Sequence, residues 1–102
     1  MIFSSRQRAK PFTLPPTLDM RNAQDLKDRL LAALALSPVL RLDGSEIQNV
    51  ATPGVQVLLA AARSAESEGG KVILTKTSSA LEEAFRDLGL TQAYTQWRSA
   101  HA

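Results

Sequence analysis

A chain of 102 residues, 44% apolar and 22% charged, has the balance of one soluble globule and lacks the length for two domains. It contains no cysteine, which excludes a disulfide framework and a thiolate metal site and fits a reducing cytoplasm. The net charge of +2 is concentrated at one end: Arg6, Arg8 and Lys10 lie in the first ten residues, which hold no acid, so residues 11–102 carry nine bases against ten acids.

That distribution argues against a nucleic-acid interface. The five aromatics, Phe3, Phe12, Phe85, Tyr94 and Trp97, do not stand among clustered bases as a base-stacking platform requires. No apolar run approaches the roughly 18 residues of a membrane span. Leu30–Leu36 is the longest, and Ser37-Pro38 stops it. The first bases are not followed by an apolar stretch, so residues 1–10 read as a flexible basic arm, not a secretory signal, with a single domain over 11–102.

From Phe12 to Leu18 the chain reads as extended, and Pro11, Pro15 and Pro16 confine it to an edge. Asp19 or Asn22 caps a helix to about Leu36, with Ala23, Leu26, Leu30, Ala33 and Leu34 on its apolar side. Val39–Leu42 forms a short strand closed by Asp43-Gly44, and Ser45–Val50 follows as a loop.

A second helix opens at Thr52-Pro53-Gly54 and runs to about Glu68 on the stripe Val55, Leu58, Leu59 and Ala62. Thr52 suits its N-cap and Pro53 its first position, and Gly69-Gly70 ends it. Val72-Ile73-Leu74 suits a central strand buried on both faces. Ser79 and Glu82 predict a capping box for a helix with the stripe Leu81, Phe85 and Leu88, stopped by Gly89. A short terminal helix from Thr91 packs through Ala93, Tyr94 and Trp97. Alternation of strand and helix predicts an α/β fold with parallel pairs.

Few residues invite chemistry. His101 is the only histidine and lies one residue from the end, too frayed a place to hold a general base. Glu66 and Glu68 diverge on a helix, and Glu82 and Glu83 sit where a helix start favours negative charge. Gly69-Gly70 precedes a strand, the reverse of a phosphate-cradling loop. No catalytic constellation, metal site or cofactor site is expected, and the chain reads as a non-enzymatic binding module.

The run Leu40-Arg-Leu-Asp43-Gly-Ser-Glu-Ile47, then Val50-Ala-Thr-Pro-Gly54, then Val57-Leu-Leu-Ala-Ala, resembles the STAS domains (sulfate transporter and anti-sigma factor antagonist). Glu68-Gly-Gly-Lys-Val-Ile-Leu74 and Ala84-Phe-Arg-Asp-Leu-Gly-Leu90 extend the resemblance over about residues 12–91. It implies a mixed, largely parallel sheet with helices and a docking role on a regulatory protein.

Partner-switching members carry Asp-Ser-Ser-Gly at the head of the second helix, with the serine before the glycine phosphorylated by a kinase that is also the anti-sigma factor. Here these positions are Ala51, Thr52, Pro53 and Gly54. Proline has no hydroxyl, so the usual acceptor is gone, and Thr52 is the remaining one. A related Asp-Thr-Ala-Gly pattern, in the STAS subunit of the bacterial lipid-asymmetry ABC transporter, aligns its threonine with Thr52. Gln56-Val-Leu-Leu-Ala-Ala-Ala-Arg63 is similar to short STAS proteins that accompany chemotaxis proteins.

The resemblance therefore implies partner contact at Asn49, Val50, Thr52, Pro53, Gly54 and Gln56, with Thr52 either a simple helix cap or a phosphorylation site. Its partners would be an anti-sigma factor of kinase-type fold, a chemosensory component or an ABC-transporter ATPase. A homodimer is also compatible with it.

Overall fold

The computed structural model describes residues 11–99, so the N-terminal arm of residues 1–10 and His101 lie outside the described residues. In chain order the elements are β1 (Phe12–Thr13), β2 (Thr17–Leu18), α1 (Met20–Leu36), β3 (Val39–Asp43), β4 (Asn49–Val50), α2 (Thr52–Ser67), β5 (Lys71–Lys76), α3 (Ser79–Asp87) and α4 (Thr91–Ser99). All described strand pairs are parallel, in a three-stranded sheet of order β1-β3-β5 and a two-stranded sheet β2-β4.

The two sheets share one extended segment. Phe12 pairs with Leu42 and Thr13 with Asp43, the Leu14 amide donates to the Asp43 carbonyl, and Pro16 accepts from the Gln48 and Asn49 amides. Thr17 then pairs with Asn49 and Leu18 with Val50. Residues 12–18 thus run first beside β3 and then beside β4, as the edge that three prolines demand. Asn49–Val50, expected as loop, is a strand because this segment extends far enough to supply hydrogen-bond partners.

Burial follows the register. Leu40 pairs with Val72 and Leu42 with Leu74, and these four join Leu26 and Leu30 of α1 and Val55, Leu58, Ala61, Ala62 and Ala65 of α2 in one core. Removing each such leucine from water contributes about 1.5–3 kcal/mol. Ala23, Ala33 and Leu34 complete the α1 stripe half-buried, while Leu31 and Leu36 point to solvent.

Val72, Ile73 and Leu74 are all buried, yet β5 flanks the sheet and β3 is its centre. A run of buried residues on β5 arises because both α2 and α4 pack against it, not because strands lie on either side. Arg98 Nη1 donates to the Leu74 carbonyl at 3.0 Å and ties α4 to a strand with no second strand partner among the described residues.

Helix ends refine the local expectations. Asp19 caps α1 by accepting from the Arg21 and Asn22 amides, and Asn22 Oδ1 accepts from the Asp19 amide at 3.0 Å, so both proposed cap residues serve. The N-cap of α2 is Ala51, one residue before the expected Thr52, and no side chain caps this helix. Ser78, not Ser79, caps α3 by accepting from the Leu81 amide, which leaves Glu82 outside a capping box and paired instead with Arg86 at 3.4 Å.

Gly69 (φ 82°) and Gly89 (φ 75°) adopt the left-handed conformation that closes α2 and α3. In each closure the following amide reaches back, Gly70 to the Ala65 carbonyl and Leu90 to that of Phe85. At the α3 end this turn brings Leu90 half-inward and leaves Leu88, expected on the apolar stripe, 42% exposed. The terminal aromatics are packing residues: Trp97 is buried edge-on against Phe85 with centroids 5.4 Å apart, and the Tyr94 hydroxyl bonds Thr77 Oγ1 at 3.0 Å.

Candidate docking rim

Each helix that follows a parallel strand starts at the strand's C-terminal end, so the pairing of β2 with β4 sets the heads of α1 and α2 side by side. The Ala51 amide donates to the Leu18 carbonyl at 2.7 Å and locks the entry to α2 against the end of β2. Gly54 is buried there, and an added Cβ would stand 2.5 Å from the Leu18 Cβ. Only a residue without a side chain lets the first turn of α2 approach β2 this closely.

The contact residues expected from sequence divide by exposure. Asn49, Thr52 and Gln56 are exposed, Val50 and Pro53 are half-buried, and Gly54 is enclosed beneath Leu18. Gly54 therefore shapes the rim from below. Thr52 is the first residue of the helix and Pro53 the second, and Pro53 has no amide hydrogen to leave unpaired. With Ala51 at the cap, the positive end of the α2 dipole meets solvent without a side-chain acceptor.

Two hollows flank this head. One, of about 380 Å³, is lined by Thr17, Leu18, Asp19, Arg21, Asn49, Val50 and Ala51. The other, of about 170 Å³, lies between α2 and α3 and is lined by Val50, Ala51, Thr52, Val55, Ala84, Asp87 and Leu88. Val50 and Ala51 form the ridge between them.

In the first hollow Arg21 binds the Asp19 carboxylate at 3.0 Å. That side-chain bond, with the Asn22 and Arg21 amides, holds the Asp19 carboxyl below its ordinary value despite some desolvation. The site residues contributed by α1 and α3 were invisible to local sequence pattern, because long-range strand pairing and helix packing bring them in.

Asp43, at the end of β3, is engaged in its own turn. Its Oδ1 accepts from the Ser45 hydroxyl at 2.7 Å and the Ser45 amide at 2.9 Å, and these bonds lower its pKa, the hydroxyl more than the amide. Ile47 is buried and anchors the intervening loop. Among the described residues no group of three His, Asp or Glu side chains could hold a metal ion, and no helix is long and apolar enough to cross a membrane.

The family model described as "Mlab, STAS domain" matches residues 9–95, which takes in every element up to most of α4. The chain belongs to the STAS domain family. No curated protein and no solved structure matches it. The parallel strands and four helices are those of an α/β STAS domain, a family of generally non-enzymatic regulatory modules.

Proposed function

We propose that this STAS domain, residues 11–102 behind a basic arm of residues 1–10, is a cytoplasmic, non-enzymatic protein-binding module. Its docking face is the head of α2, where Asn49, Val50, Thr52, Pro53 and Gln56 meet a regulatory protein over the support of Gly54. The observation that carries this reading is the start of α2, which no side chain caps and where Thr52 is exposed. The partner is an anti-sigma factor of kinase-type fold or a chemosensory component.

Because Pro53 replaces the usual phosphoacceptor, the ordinary switch is missing or has moved to Thr52. A phosphoryl group at Thr52 would lie at a helix start and add about −1.5 to −2 charge to the docking face. Incubation with the cognate kinase followed by intact-mass and fragment analysis tests this. Phosphate on Thr52, or none, fits the reading, and phosphate on a residue away from the rim overturns it.

A second reading, a non-catalytic subunit docked on the ATPase of a lipid-asymmetry ABC complex, is favoured by the match of Thr52 to the threonine of the Asp-Thr-Ala-Gly pattern. Pull-down of Thr52→Ala against the two partner types separates them, since only the true partner is weakened by the substitution.

A further inference from the structure

The hollow between α2 and α3 has a mixed polar and apolar lining and an acidic lip. Val50, Val55 and Ala84 line its wall and Leu88, 42% exposed, stands at its mouth. Asp87 lines it as well, and Glu83 lies one turn before Asp87 on the same side of α3. At about 100° per residue the only cation of α3, Arg86, lies about 60° round the helix from Glu83 and about 100° from Asp87, and it is bonded to Glu82 at 3.4 Å.

Glu83 and Asp87 have no ion pair among the described residues, and no Lys or Arg lines the hollow. An exposed leucine beside an unneutralised carboxylate is complementary to an apolar side chain neighboured by a cation. Arg21 lines the other hollow and is occupied by Asp19.

We propose that this groove receives a short basic segment of the partner protein, seating a large apolar side chain against Leu88 and a Lys or Arg against Asp87. The proposal rests on the docking reading above and names the chemistry of what docks. It makes α3, through Asp87 and Leu88, the element that selects the partner, while Thr52 stands at the groove's other wall where a phosphate would be felt by the same segment.

A displayed library of random peptides selected against the full-length protein tests this. Sequences that join a large apolar residue to a neighbouring Lys or Arg should dominate. Leu88→Ser should weaken them about tenfold, as expected for an apolar anchor. Asp87→Asn should weaken them about two- to fivefold, less at high salt, because the pair is exposed. Leu31→Ser, on the exposed side of α1, should leave them unchanged and controls for folding.

Selected sequences without a base, an unproductive selection, or hits indifferent to both α3 substitutions overturn the proposal. Hits that survive the α3 substitutions but are lost with Gln56→Lys overturn the groove and keep the α2 rim. Hits that survive all three remove both.

Discussion

The first turn of α2 rests on β2 through Gly54 and Leu18, whose approach leaves no room for a methyl group: a Cβ on Gly54 would come within 3.0 Å of the Leu18 backbone as well as 2.5 Å of its Cβ. Leu18 is fully buried and its carbonyl accepts from the Ala51 amide, so neither side of the contact can retreat without disturbing the rim. Gly54→Ala should therefore destabilise the protein by about 1–3 kcal/mol, although alanine is the better helix former. Urea denaturation measures the loss. An unchanged midpoint would show that the contact is slack.

Ala51 has the extended backbone of an N-cap (φ −115°, ψ 158°) but no side-chain acceptor. Ala51→Asp supplies one and should raise stability by about 1 kcal/mol. Thr52, already inside the helix, makes no cap bond, so Thr52→Ala should change stability by less than about 0.5 kcal/mol. Thermal melts of the two variants discriminate this arrangement from one in which Thr52 is the cap, for which the second substitution would cost about 1 kcal/mol.

Helix α4 is held by aromatic contact. Trp97 is 5% exposed and Phe85 fully buried, with Tyr94 tilted against the same ring at 5.8 Å. Trp97→Ala should cost about 3–5 kcal/mol. Tyr94→Phe, which removes only the bond to Thr77, should cost about 1 kcal/mol. Near-ultraviolet circular dichroism should lose its aromatic signal in the first variant and keep it in the second.

Acid stability should depend on Asp43 and Asp19. The Ser45 hydroxyl and amide lower the first, and the Arg21 side chain with the Asn22 amide lowers the second. A carboxyl depressed on folding contributes stability that is complete above its unfolded pKa and vanishes as pH falls through the folded one. Stability should therefore decline from about pH 5 downward, and Asp43→Asn should flatten that decline while lowering stability at neutral pH. Denaturant midpoints taken across this range check both effects.

Much of the fold was legible in the residues because local chemistry dictates it. Prolines 11, 15 and 16 forced an edge, Asp19 and Asn22 announced a helix start, and Gly69 and Gly89 marked two helix ends. Each of these acts within a few positions of the chain. The helix starts were misplaced by one residue, at Thr52 and Ser79, where an adjacent residue has the extended backbone of a cap. At Ala51-Thr52 the side chains point to the wrong residue, since threonine is the better cap, and at Ser78-Ser79 they are identical and cannot decide.

The alternation of strands and helices, the apolar stripes and the presence of a proline at the second-helix head follow from the amino acids alone, since spacing and the absence of a hydroxyl are properties of the chain itself. Which strand is central, that β4 exists, and that Asp87 and Leu88 share a groove with Thr52 were decided by packing. Strand pairing joins residues about thirty positions apart, and its hydrogen bonds and burial exist only once both partners are in place.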